Sequence, residues 1–388
     1  MTAVPTSARP DPAQRLLLQA ALKDGAAAVD AWREWVRAIA FDEMDAASQR
    51  LIPLLARNLQ RLGVDHPDVG RMRGIHRYWW SRNQILLRKL PQVLAALADA
   101  GIEAMVLKGI PLALRYYDDV GLRPMTDFDL LVPTVDADRA LAVMAAHGWS
   151  INEPVRVFRR DRRIDVYARP GVGFVAADRT ECDLHWHLLH DCCWDGADAP
   201  FWAHATTLAW QGHSFRVPQA TDLLFHVIVH GAAFNLMPPI RWIADATQVM
   251  RRAPAEIDWD RLLDQAERRW LTVVVSEALA EITTLSGTAP PSAVTERLRR
   301  AHPSWAERQE YRRRLVDAHY RYTVLGRWTQ LSRQYADVSA PRRLVHVPAF
   351  MQQIWAVDRK AVLPLTLAFR IVPAYVARLV RGSATPAA

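Results

Sequence analysis

A chain of 388 residues, 51% of them hydrophobic, is long enough for two or three structural units and has apolar mass for a sizeable core, which excludes wholesale disorder. The formal charge of +8 invites a nucleic-acid reading, yet only four of the 49 basic residues are lysine. That arginine skew, with abundant alanine, follows GC-rich coding, and no block of consecutive basic residues resembles a nucleic-acid tail.

In chain order, residues 1–14 carry Pro and Ser and read as a loose tail with no apolar signal-peptide core. From 15 to 62 apolar residues recur at helical spacing, with Trp32 and Trp35 among them as core filling. A helical pattern resumes at 72–98, with Pro91 opening its last piece and Gly101 closing it. The period then changes. Residues 102–107 read as a short strand ended by Lys108-Gly109, 111–117 as a short helix, 127–132 as a second strand and 135–147 as an amphipathic helix closed by Gly148. Segments 155–159, 163–168, 173–176 and 180–188 suit antiparallel strands at the edge of the same sheet. From 218 onward the pattern is helical: 220–234, 240–251, 259–269, further helix through 285, and 304–335, with a Pro/Ser/Thr-rich loop at 286–295. The organisation predicted is a helical region over 1–100, an α/β core over 101–217 and a helical region over 218–388.

Three cysteines, Cys182, Cys192 and Cys193, are too few and too clustered for a disulfide framework. No run reaches eighteen uncharged apolar residues, so the chain reads as cytoplasmic without a transmembrane segment. Residues 344–380, with Phe350, Trp355, Phe369 and Tyr375 among arginines, pack on the helical region in preference to lying on a membrane surface or receiving a protein partner.

Chemistry concentrates in residues 105–132, MVLKGIPLALRYYDDVGLRPMTDFDLLV. Asp127 and Asp129, at i and i+2 on a strand, point to one face roughly 7 Å apart. Paired carboxylates there suit divalent metal ions facing a phosphate. Gly109 allows backbone N–H groups to approach a phosphate, and Lys108 offers a compact cation. Arg123 reaches either a phosphate or the two aspartates. In the strand TECDLHWHLL, Glu181, Asp183, His185 and His187 share one face. Farther on, His226 and His230 lie at i, i+4, with His185, His187 and His190 upstream, which invites a metal reading. Their helix is very apolar and lacks the Glu of H-E-x-x-H, which favours core histidines, one of them able to line a nucleotide pocket. Arg241 and Asp245, also i, i+4, form either a surface ion pair or a grip on nucleotide.

The order strand, Lys-Gly, helix, Arg-x-x-x-Asp-x-Asp, strand, then an acid before Leu-His-Trp, resembles the uncharacterised nucleotidyltransferase family of the polymerase-β-type superfamily. DLLFHVIVHGA (222–232) and PIRWIADATQVM (239–250) resemble its helical region, and the resemblance covers roughly residues 85–285. It implies an α+β fold: a polymerase-β-like core with a small mixed sheet, between N- and C-terminal helical regions. The implied reaction moves a nucleoside monophosphate from an NTP to an acceptor with Mg²⁺ or Mn²⁺, releasing pyrophosphate. Asp127, Asp129 and Asp183 are then the metal and catalytic residues, Asp183 being preferred to Glu181 and Asp165 because it directly precedes Leu-His-Trp. Lys108, Gly109, Arg123 and Arg241 would contact nucleotide. Most of the superfamily has Gly-Ser or Gly-Gly where this chain has Lys-Gly, and Asp127 follows Gly109 by eighteen residues. The acceptor is a small molecule, a natural-product intermediate or a peptide. A catalytically silent nucleotide- or partner-binding protein of the same fold, and a nucleic-acid end-modifying enzyme, are the alternatives.

Overall fold

The computed structural model describes residues 9–152, 159–160, 163–164, 170–190, 192–194, 196–234, 240–316, 323–334, 347–348 and 350–351. All but Arg159 of the expected strand at 155–159, all but Arg163 and Ile164 of that at 163–168 (Asp165 among them), and the apolar segment 344–380 apart from a few residues including the buried Phe350 fall outside that set.

The fold is mixed α+β around one seven-stranded sheet. Its strands are β1 (Met105–Leu107), β2 (Asp127–Leu131), β3 (Trp149–Ile151), β4 (Gly171–Ala176), β5 (Glu181–His185), β6 (Thr206–Trp210) and β7 (His213–Val217), in the spatial order β3-β4-β5-β2-β1-β7-β6. The β2–β5 and β1–β7 pairs are parallel and the others antiparallel. A separate two-residue ladder joins Arg159–Arg160 to Arg163–Ile164.

Three features depart from the expected pattern. β5 lies inside the sheet rather than at its edge, because it pairs with β2 on one side and β4 on the other. The β6–β7 hairpin is an addition that no predicted element covered. Gln211 and Gly212 turn it with φ of 45° and 80°, the pair of positive values that a two-residue turn needs to match strand twist. Pro91 does not open a new helix but rides inside one continuous helix, α4 (Val69–Asp99). The missing N–H costs that helix one hydrogen bond. Leu86, Leu87 and Leu90 before the proline, with Val93 and Leu97 after it, bury on the sheet and hold both halves in line.

Helices α1 (Pro12–Leu22), α2 (Gly25–Ala38) and α3 (Ile52–Arg61) precede α4. Asp11 and Gln14 close a reciprocal capping box at the start of α1, where Pro12 needs no donor. Trp32 and Trp35 stack with centroids 5.4 Å apart and are buried, whereas Trp80 on α4 is exposed. Helices α5 (Gly109–Arg115) and α6 (Ala137–Ala146) lie within the sheet region. After it come α7 (Ala220–Val229), α8 (Arg241–Arg252), α9 (Trp259–Arg268), α10 (Thr272–Ser286), α11 (Ser292–Arg300), α12 (Trp305–Val316) and α13 (Val324–Gln334).

Side-chain alternation divides the sheet between two cores. Val106, Phe128, Leu130, Cys182 and Leu184 face the second half of α4 and α6. Met105, Leu107 and Leu131 face a larger core that the first helices and the last helices build together. Arg9 with Glu277, Arg15 with Glu281, and Arg251 with the Leu22 carbonyl tie α1 and its approach to the later helices. Among the described residues no helix is long and apolar enough to cross a membrane.

Candidate functional site

The alternation that turns Phe128, Leu130, Cys182 and Leu184 into one core turns Asp127, Asp129, Glu181, Asp183 and His185 to the opposite face. Parallel pairing of β2 with β5 sets Asp129 directly beside Asp183, and Asp127 beside Glu181. On its other side β1 places Leu107 opposite Asp129, so Lys108 leaves the strand next to the acids. The register therefore favours Asp183 over Glu181 as the partner of Asp129.

Lys108 Nζ donates to Asp129 Oδ1 at 2.5 Å, and His185 Nε2 meets the same oxygen at 3.2 Å. His185 Nδ1 is buried without a hydrogen-bond partner, so the ring proton belongs on Nε2, where it donates to the carboxylate. Asp129, Asp183 and His185 each present one ligand atom, all within 4.8 Å of one another. Asp127 stands outside that tight group; its Oδ1 accepts from Thr126 Oγ1 at 3.3 Å.

The electrostatics follow from burial and neighbours. Burial raises the Asp129 carboxyl, but the Lys108 ammonium and the His185 contact outweigh it and hold the group far below the ordinary carboxylate range. Burial and the negative charge of Asp129 push Asp183 up to about 6 and raise Asp127 as well. Lys108 is desolvated, yet Asp129 more than compensates and keeps it protonated. Two carboxylates, with a histidine that orients one of them, are a donor set suited to a hard divalent cation.

The residues expected near phosphate divide. The structure places Gly109 against the side chains of Arg123 and Met125: a Cβ there would stand 3.1 Å from Arg123 NH1 and 2.9 Å from Met125 Sδ. Arg123 is buried and forks onto Asp245, Nε to Oδ1 and NH2 to Oδ2, both at 2.9 Å. Its guanidinium thus pairs with neither Asp127 nor Asp129, because Asp245 on α8 takes both of its parallel donors. Tyr117 Oη donates to Asp245 at 2.8 Å. Asp245 is accordingly not half of a surface ion pair; Arg241 Nε lies 3.8 Å from it, while Arg241 NH1 donates to the Pro124 carbonyl at 2.6 Å. Burial, then Arg123, push the Arg241 guanidinium down to about 10, and its Nε is buried without a hydrogen bond.

The whole arrangement holds residues 44–287 in common with the family model described as an uncharacterised nucleotidyltransferase. The chain belongs to the uncharacterised nucleotidyltransferase family. No curated protein matches it. In this family member the matched span begins well before residue 85, so α3 and the first half of α4 belong to the family unit together with the sheet.

Some of what builds the site escaped the sequence reading. Asn83 on α4 is fully buried; its Nδ2 donates to the carbonyls of Val120 (2.6 Å) and Arg123 (2.8 Å), and its Oδ1 accepts from Met125 N (3.1 Å). It pins the loop that leads into β2. An amide three and four residues before Leu86 and Leu87 on an apolar stripe was the available signal. His226 is fully buried, its ring 5.8 Å from that of His230 in an edge-to-face arrangement, where α7 passes into a π-turn over His230–Phe234. Burial and the nearby Lys108 charge hold both imidazoles neutral. His187 pairs with Asp198 at 2.8 Å, which explains its burial structurally.

Proposed function

We propose that the chain is a metal-dependent nucleotidyltransferase with a polymerase-β-like core, transferring a nucleoside monophosphate from an NTP to a nucleophilic oxygen or nitrogen of an acceptor and releasing pyrophosphate. The observation that carries this reading is the in-register pair Asp129–Asp183 on adjacent parallel strands, with the Lys108-Gly109 turn beside it. Family membership supports the reaction class, and the clustered donor atoms support a cation there. Asp129 and Asp183 would hold Mg²⁺ or Mn²⁺, with Asp127 at the margin of the group. A divalent cation so held supplies charge neutralisation on the transferring phosphoryl group and alignment of the attacking atom.

The remaining roles belong to the chain itself. His185 donates to Asp129 and fixes the carboxylate's orientation. Lys108 offers a cationic donor to the polyphosphate, and Arg241, held by the Pro124 carbonyl, adds positive charge behind it. Arg123 is a positioning residue: held by Asp245, it supports the backbone at Gly109 rather than touching nucleotide.

The test is pyrophosphate release from NTP with Mg²⁺ or Mn²⁺ across a panel of hydroxyl and amine acceptors. Asp129→Asn and Asp183→Asn should each lower the rate about 10³-fold, the scale of losing several kcal/mol of charge stabilisation. Undiminished turnover in either variant would refute the assignment. Tight NTP binding with no pyrophosphate release on any acceptor would favour a silent binding protein.

A further inference from the structure

We propose that Lys108 is the resident counter-ion of the metal site and that it must leave Asp129, for the polyphosphate of the nucleotide, as the metal enters. This rests on the reading given under Proposed function. Asp127, Asp129, Glu181 and Asp183 share one sheet face, and the Lys108 ammonium lies 2.5 Å from Asp129 Oδ1, with only 15% of its side chain exposed. His185 Nε2 occupies the same oxygen, so Oδ1 is already engaged by two donors. A divalent ion held by Asp129 and Asp183 would share Asp129 with the ammonium, and two cations competing for one carboxylate in a desolvated site repel. Co-residence is therefore disfavoured, and entry of the ion displaces the ammonium.

The chain has the means for that exchange. Lysine carries its charge on a flexible four-carbon stem, so Nζ can move several ångströms with the backbone still. The backbone is itself under tension: Lys108 has φ 42° and ψ −101°, outside the regions a non-glycine residue ordinarily adopts. That conformation aims the side chain at Asp129, and the ion pair holds it there. Nucleotide phosphates offer the departing ammonium a new anionic partner, whereas free metal offers it none.

Two consequences follow. The site binds free metal weakly, and metal and nucleotide assist each other. Lys108 thus makes occupancy depend on both ligands together.

The experiment titrates the full chain with Mn²⁺ alone, followed by electron paramagnetic resonance, and repeats the titration with a non-hydrolysable ATP analogue present. Lys108→Met should bind Mn²⁺ alone about tenfold more tightly than wild type and the analogue about tenfold more weakly, within the range of ordinary coupling between sites. Lys108→Arg, which keeps a cation, should leave Mn²⁺ affinity near the wild-type value. Should Lys108→Met fold poorly, the wild-type chain answers by amine labelling and mass spectrometry, because it has only three other lysines, Lys23, Lys89 and Lys360. Mn²⁺ should then accelerate labelling of Lys108 relative to Lys89. Equal Mn²⁺ affinity in wild type and Lys108→Met, or unchanged labelling, overturns the displacement while leaving the metal site standing. Absence of Mn²⁺ binding in both chains overturns the metal reading and this proposal with it.

Discussion

Asp245→Ala should destabilise the fold far more than a surface change. Arg123 and Asp245 are each about 5% exposed and joined by two parallel hydrogen bonds at 2.9 Å, with Tyr117 Oη on the same carboxylate at 2.8 Å. Removing the carboxylate leaves a guanidinium buried and uncompensated, which costs about 3–5 kcal/mol. The orphaned Tyr117 hydroxyl adds about 1 kcal/mol. Against a total stability of about 5–15 kcal/mol that is a large fraction. At about 2 °C per kcal/mol, the low end suited to a long chain, Tm should fall by roughly 8–12 °C. Urea and thermal unfolding followed by tryptophan fluorescence read the loss directly. The double variant Arg123→Met/Asp245→Leu should recover most of it, because both charges leave together. A cost below about 1 kcal/mol for Asp245→Ala, or a double variant no better than the single, would refute the claim that this pair is buried and mutually dependent.

Gly109→Ala should cost about 1–3 kcal/mol and weaken nucleotide binding, since its Cβ would press on Met125 and Arg123; a wild-type melting curve and analogue affinity would contradict that packing. The raised carboxyl of Asp183 gives a pH signature. A group whose folded value lies above its unfolded value stabilises fully below the unfolded value and loses that contribution as pH rises through the folded value, here about 6. In metal-free buffer the stability of wild type relative to Asp183→Asn should therefore decline between about pH 4 and 6; a relative stability that grows over that window would oppose the buried placement beside Asp129.

The acidic face was legible because a strand has period two. Asp127 and Asp129, and Asp183 and His185, could be assigned to common faces before any fold was known. What could not be read was the pairing between strands. Nothing local says that Asp129 faces Asp183 rather than Glu181; that follows from the β2–β5 register, which long-range packing decides. Arg123 illustrates the same limit. Its partner Asp245 lies 122 residues away, and the visible i, i+4 neighbour of Asp245, Arg241, was the weaker contact. Pro91 misled because local propensity marks a proline as a boundary, whereas burial on both sides of it kept the helix whole. The β6–β7 hairpin had a readable turn at Gln211-Gly212 and alternating flanks, but its strands are only half apolar and lie at a sheet edge.

The pairing of β2 with β5 also determines which changes the chain can absorb. Asp129 and Asp183 are 54 positions apart in sequence yet occupy one rung of the ladder. Their separation is set by the spacing of neighbouring strands, about 4.8 Å, and by nothing in between. Changes of length in the loops between 132 and 180 therefore need not shift one acid against the other, whereas the strand Gly171–Ala176 in that stretch is itself paired to β5. A single-residue slip within 181–185, by contrast, would turn Asp183 into the apolar layer and bring Cys182 or Leu184 to its place. Length is thus free in the loops of the long excursion and fixed across the five residues that carry the acid.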